Sequence, residues 1–348
     1  MQNELSKKQK KKIAFIAEYN AMKGYYPFER VSILAKLLKN EEDVSIFLKN
    51  PKDEVLELFT DAQLSPIIYA HIDELTKHLK ELQPDLIVQE GKDTYIEYVE
   101  TIRPFCKTLV HFDDFGEGAE LADCNVLSIL EETRETSVQN ILPGSFAFAV
   151  SDTLKSIAES RVSNELSNPP HIVVAYEDGD PNNLTYRTLR HLTHLQIPLK
   201  VTIAIDREYQ HSIGDLQLMA LSSRNTKILK EDKPLDKLLP EADIVICNAN
   251  YTPYKVAAVG IPCIVCAQNE RELNNVFPRE NNGFIHLGLG RKMKQSNIQN
   301  AVMELLLHEA RRERAVRKQI QLEIQENNEV LKSLLLDFAY ERHNIVSL

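Results

Sequence analysis

The residues of this 348-residue chain most suited to chemistry sit where an apolar run gives way to polar ones. Ile172-Val173-Val174-Ala175 reads as a buried strand. Glu177-Asp178-Gly179-Asp180-Pro181-Asn182-Asn183 follows before helical spacing resumes. A strand, a sharp turn and a helix start form a common phosphate seat, because unpaired N–H groups point outward there. This turn instead carries three acids and one glycine. Three chemistries stay open: a phosphate loop, a divalent-cation site at Asp178 and Asp180, and a solvated turn whose Asp180 caps the next helix. The cysteines are the second place to look. There are five, Cys106, Cys124, Cys247, Cys263 and Cys266, and an odd number suits reduced thiols. Cys263 and Cys266 form a C-x-x-C inside an apolar stretch that reads as a strand. Positions i and i+3 of a strand face opposite ways, so these thiols are not expected to grip one metal. Neither G-x-G-x-x-G nor G-x-x-x-x-G-K-[ST] occurs, which argues against a nicotinamide-type site and a P-loop. No cofactor and no metal are expected.

The elements that must position these residues alternate. "KKIAFIAEYN" reads as a strand at Ile13 to Ala17, and "PFERVSILAKLLKN" has helical spacing at Val31, Leu34, Ala35 and Leu38. "DVSIFLK" is a strand, "SPIIYAHIDELTKHLKELQ" a helix, and "PDLIVQEG" a strand ending at Gln89-Glu90. "YIEYVETIRPFC" is a helix, "KTLVHFDDFGEG" a strand running into an acidic turn, and "CNVLSIL" a short strand. Together they describe a parallel α/β domain at 11–158, after a disordered basic tail at 1–10. Residues 159–170 read as a linker. The pattern restarts with strand 172–176, helix 184–195, strand 199–205, helix 213–221 and strand 226–230. Two more strands and a helix near 270–276 complete a second domain at 171–300. C-terminal helices fill 301–348, opening on a capping box of Ser296 with Gln299. The arginine-rich stretch 311–318 reads as a solvated helix face.

Composition narrows the class. A hydrophobic fraction of 43% and a charged fraction of 26% suit a soluble globular protein. A net charge of −10 disfavours a general nucleic-acid or anionic-membrane binder. No apolar run nears the ~18–20 residues of a membrane span, and the lysine-rich start lacks a secretory pattern, so a cytoplasmic protein is expected. Two α/β domains and a helical end point to the GT-B architecture: two Rossmann-like parallel-sheet domains facing across a cleft.

The stretch "EADIVICNANYTPYKVAAVGIPCIVCAQNEREL" resembles a recurring segment of GT-B proteins that bind UDP-sugars. The matches are Asp243, Thr252, Tyr254, Ala257 or Ala258, Gly260, Pro262 and Gln268. "DGDPNNLT" resembles a "GG-[ST]-D-P-x-N-x-T" pattern through Asp180, Pro181, Asn183 and Thr185. "HFDDFGEGAELADCNV" resembles an acidic stretch through Asp113, Asp114, Ala122 and Asp123. Together they are similar to the UDP-sugar hydrolases of pseudaminic acid biosynthesis, of the spore coat polysaccharide type, loosely over 11–310. The resemblance implies a nucleotide-sugar hydrolase or glycosyltransferase-like enzyme of surface or spore glycan synthesis. It places the nucleotide and diphosphate at Asn183, Asn250, Tyr251, Thr252, Lys255 and Gln268. It asks for a base in the first domain, for which Glu18, Glu90 and Asp114 are the candidates.

Three positions depart from that pattern. Pro27 falls where the family has its water-activating histidine, and a proline is no base. His111, just before the two aspartates, reads as a partly buried strand residue. Glu177-Asp178 replaces a glycine pair, and two like charges about 4 Å apart repel by ~1–4 kcal/mol. Lys255 replaces a glutamate, and lysine accepts no hydrogen bond. These departures motivate the alternative: a catalytically degenerate GT-B relative that binds a sugar, a nucleotide or a protein.

Overall fold

The computed structural model describes residues 9–129, 140–161, 165–221, 223, 225–230 and 234–342. Residues 1–8 of the expected tail, 162–164 of the expected linker and 343–348 of the expected C-terminal helices lie outside them. The chain divides into two compact units. One is built from residues up to Ser128, from 140–149 and from Asn328 onward, the other chiefly from Val150–Asn327.

The first unit holds strands β1 (Lys12–Glu18), β2 (Asp43–Lys49), β3 (Ile67–Tyr69), β4 (Leu86–Glu90), β5 (Thr108–Phe112), β6 (Cys124–Leu127) and β7 (Ile141–Pro143). Its helices are α1 (Tyr26–Leu38), α2 (Asp53–Asp61), α3 (Ile72–Leu82) and α4 (Ile96–Ile102). All pairings are parallel, in the order β3-β2-β1-β4-β5-β6-β7. Such a sheet is covered on both faces, which is why β1 and β4 read as unbroken apolar runs. Ile13, Phe15 and Ala17 pack towards α1, with Ala14 and Ile16 in the opposite layer with Leu75 and Leu79 of α3. Pro27 stands in the first turn of α1, where an N–H has no helical partner to lose, so it helps start the helix.

The second unit begins with α5 (Asp152–Ser160). Its strands are β8 (His171–Ala175), β9 (Lys200–Ile205), β10 (Thr226–Lys230), β11 (Ile244–Cys247), β12 (Cys263–Ala267) and β13 (Phe284–Leu289). Helices α6 (Leu184–Leu192), α7 (Ile213–Leu221), α8 (Pro234–Leu238), α9 (Thr252–Val259), α10 (Glu270–Asn274), α11 (Gln295–Leu307) and α12 (Glu309–Ile320) surround them. This parallel sheet runs β10-β9-β8-β11-β12-β13. Asp243, at the foot of β11, ties β8 in place by accepting from the His171 N–H at 2.6 Å and the Ser167 hydroxyl at 2.5 Å. Helix α9 ends at Gly260, whose φ of +78° suits the left-handed cap and whose N–H reaches the Val256 carbonyl at 2.9 Å. The last helix, α13 (Asn327–Ala339), returns to the first unit and adds Leu331, Leu334, Leu335 and Phe338 to the α1-side core.

Several expectations are corrected. The stretch expected as one helix from Ser65 holds β3 before α3, because Ile67 and Ile68 pair with Phe47 and Leu48 on the sheet edge. Helix α5 belongs to the second unit, so the first unit's main segment ends at Ala149 rather than at 158. Ser296 is not a cap: α11 starts at Gln295, and the Lys294 N–H donates to the Asn297 side chain at 2.9 Å. The helical stretch that follows breaks at His308 into α11 and α12. Arg312 is not solvated. It is buried, and its guanidinium caps α11 by donating to the Leu305 and Leu306 carbonyls at 2.7 and 3.2 Å. The C-x-x-C thiols do face apart. Cys263 lies 3.5 Å from the Cys247 sulfur, and Cys266 lies 3.5 Å from the Met293 sulfur.

Candidate functional site

Strand order reverses between β1 and β4 in the first sheet, and between β8 and β11 in the second. Doubly wound sheets bind ligands beyond the carboxyl ends of the strands at that reversal. Each unit has one such point, and polar residues gather at both.

In the first unit the centre is Arg30 of α1, which has no exposed surface. A buried guanidinium survives only if it is paired. Its Nε donates to Glu90 at the end of β4, one Nη to Asp113 at 2.8 Å and the other to the Ala147 carbonyl at 2.9 Å. The Phe112 and Tyr26 rings lie 4.5 and 5.1 Å from its carbon. Asp113 adopts a φ of +48° and also accepts from the Ser128 N–H and hydroxyl, at 2.7 and 2.5 Å. Burial pushes the Glu90 carboxyl up to about 7, although Arg30 pulls it down. The resemblance uses Arg30 only as the register that puts Pro27 at the histidine position, and does not make it a centre. The available signal is a charge inside the apolar spacing of α1, one residue before Val31.

The three candidate bases do not share one place. Glu18 and Glu90 end the neighbouring strands β1 and β4. Glu18 is bound to Lys49 at 3.1 Å and Lys92 at 3.3 Å. Asp114 belongs to a separate cluster. It accepts from the Thr94 hydroxyl at 2.5 Å, the Gly116 N–H at 2.8 Å and the His111 ring at 2.7 Å. Burial works upward on Asp114, but the His111 bond and its other donors hold it below the usual carboxylate value. His111 itself is fully buried, not partly as expected, and its Nε2 has no hydrogen-bond partner among the described residues.

In the second unit, Glu177 and Asp178 follow β8, and Asn248-Ala249-Asn250 follow β11 and lead into α9. The Glu177 carboxylate accepts from the Thr252 hydroxyl at 2.9 Å and pairs with Lys255 at 3.3 Å. It therefore stands at the N-terminus of α9, where the helix dipole favours an anion. Asp178, with φ +64°, accepts from the Asn250 and Asn248 amides at 2.9 and 3.3 Å. Gln268 donates to the Glu177 carbonyl at 2.9 Å. Glu272 gathers the Ala249 and Gln268 N–H groups at 3.0 and 2.8 Å. Burial pushes Asp178 up to about 7 and Asp206 up to about 6, with Glu177 adding to both. Lys255 brings a cation to the cluster, and Asp236 faces it at 3.8 Å.

The structure thus joins Asn250, Thr252, Lys255 and Gln268 around Glu177 and Asp178. Asn183, at a φ of +50° before α6, accepts from the Tyr209 hydroxyl at 2.9 Å, and its neighbour Asn182 donates to the Gln268 carbonyl at 2.6 Å. Tyr251 is buried at the start of α9. Asp180 is committed to α6, its two oxygens accepting the Leu184 and Thr185 N–H groups at 2.7 and 2.8 Å. Among the described residues no group of three or more His, Cys, Asp or Glu side chains is arranged to hold a metal ion. Glu272 is not marked as a site residue by the sequence. Glu272 looks like an ordinary helix-face acid until its distance to two backbone N–H groups is known.

Solved structures share this architecture. MurG of Acinetobacter baumannii matches with a TM-score of 0.64 at 13% identity, over 94% of this chain and 99% of its own. A glycosyltransferase from Rickettsia africae gives 0.61 at 12%, over 94% and 99%. The UDP-GlcNAc 2-epimerase from Neisseria meningitidis, solved bound to UDP-GlcNAc, gives 0.62 at 11%, over 94% and 100%. The chain has the GT-B fold. No family model matches it. An uncharacterised protein of Methanocaldococcus jannaschii is 21% identical over 271 residues. That match covers 74% of this chain, which spans only 56% of the relative. Among the described residues no helix is long and apolar enough to cross a membrane.

Proposed function

We propose that this chain is a binding module on a GT-B scaffold, taking a sugar-type ligand without hydrolysing UDP-sugars and without a metal or cofactor. One observation carries the reading. The anion seat at the start of α9 is filled by the chain's own Glu177, held by Thr252 and Lys255, with Asp178 fixed beside it by two amides. A nucleoside diphosphate entering there meets two carboxylates that already hold the Thr252 hydroxyl, the Lys255 ammonium and two asparagine amides. The test is UMP release from UDP-GlcNAc and related UDP-sugars. The expected rate is the uncatalysed background. Release that vanishes in Glu90→Gln overturns the reading.

A second reading keeps the nucleotide-sugar hydrolase or glycosyltransferase of surface or spore glycan synthesis. Glu90 favours it. A carboxyl poised at about 7, at the first unit's strand reversal, suits a general base near neutral pH. In this reading the ligand must displace Glu177 from Thr252 and Lys255. Turnover with a bell-shaped pH profile centred near neutrality is its signature.

A further inference from the structure

We propose that the first unit carries a pocket for a single sugar ring bearing a carboxylate, built around Lys49, Lys92 and Tyr95. The cavity lies at the carboxyl ends of β2 and β3, beside the loop that follows β4 and the start of α4. Its volume is about 220 Å³, below the roughly 300 Å³ at which sites for larger ligands begin, so it admits one ring.

The walls are aromatic. Tyr69 and Tyr98 are buried, and the Tyr98 hydroxyl is fixed on the Gln89 side-chain oxygen at 2.6 Å. That wall is set before any ligand arrives, which lowers the ordering cost of binding. Tyr95 stands across from Tyr98, ring centres 6.2 Å apart, and is 52% exposed. A half-exposed ring at a cavity mouth offers an apolar face to the C–H side of a pyranose.

The polar side selects an acid. The Lys92 ammonium lies 4.0 Å from the Tyr98 ring centre and 4.7 Å from that of Tyr95. Glu18 bridges Lys92 and Lys49 at 3.3 and 3.1 Å, which shows that the two ammonium groups are spaced to share one carboxylate. Each ammonium carries three donors, and one carboxylate does not exhaust them. Glu97 also lines the cavity, but it is exposed on α4 and screened by water and salt. A ligand carboxylate therefore competes with Glu18 for the two lysines while its ring lies on Tyr95.

This site stands on the first unit alone and holds whether or not the second unit takes a nucleotide. The experiment titrates the full chain, without nucleotide, with glucuronate, glucose and inorganic phosphate, followed by calorimetry and ligand-observed NMR. Glucuronate is expected to bind with a millimolar dissociation constant, at least about tenfold tighter than glucose or phosphate, worth ~1.4 kcal/mol. Tyr95→Ala and Lys49→Met are expected to weaken it at least about fivefold with an unchanged melting temperature. Glu18→Gln is expected to tighten it by removing the competing carboxylate, an effect that a merely structural role for Glu18 does not produce. No glucuronate binding by about 50 mM, equal binding of glucose, equal binding of phosphate, or weaker binding in Glu18→Gln each overturns the proposal.

Discussion

Arg30 shows what a single residue commits the first unit to. Its guanidinium is fully buried between Glu90 and Asp113, so its loss removes the group that pairs both buried acids. Arg30→Met is expected to cost about 3–5 kcal/mol in urea unfolding. Arg30→Lys is expected to recover only part of it, because an ammonium lacks the planar fork. The acids also set a pH dependence. Glu90 rises from 4.5 to about 7 on folding, and Asp178 from 3.8 to about 7. Between those limits the folded chain binds more protons than the unfolded one, so stability is greatest at the acid end and falls as pH rises through about 7. Melting temperatures from pH 5 to pH 8 are expected to fall, and Glu90→Gln or Asp178→Asn to flatten part of that slope. At this scale the sequence was legible in residue type but not in partnership. Thr252, Lys255, Asn250 and Gln268 are positions that only the family resemblance points to, and the structure gathers them around Glu177 and Asp178. That Glu177 is their partner depends on the turn after β8 folding over the start of α9, which no local pattern encodes.

Elements were legible where periodicity was long. Strand β2 was read to its ends, and the apolar faces of α1 and α13 follow directly from their spacing. What escaped was short or mixed. β3 and β7 are three-residue edge strands, and β13 contains His286 and Gly288 and is only partly buried, so neither an apolar run nor strict alternation marks them. The break at His308 escaped because α11 and α12 continue the same helical composition across it. One backbone position joins the elements of the first site. Gly91 follows β4 with a φ of +82°, and a Cβ there would lie 2.0 Å from the Glu18 carbonyl oxygen. Gly91→Ala is expected to cost about 3 kcal/mol or more, from left-handed strain together with a backbone clash. Equilibrium unfolding measures it. A cost near that of an ordinary surface change contradicts the close packing of β4 against the end of β1.

The whole molecule has the GT-B fold at 11–13% identity to solved structures, a level that shows architecture alone. The alternating α/β pattern and its restart after residue 170 carry that architecture in the sequence. The return of α13 to the first unit is the least local part of it. Its Leu331, Leu335 and Phe338 complete a core that also holds Phe15, Val31 and Val110. A chain ending at Asn327 is expected to lose amide-exchange protection across β1, β4 and β5, while β8 and β11 keep theirs. Within that fold, Glu177 occupies the start of α9, bound to Thr252 and Lys255. Calorimetry of UDP against the full chain tests whether that place is closed to a diphosphate. No saturable heat is expected at neutral pH; saturable binding of UDP in the micromolar range shows that Glu177 gives way.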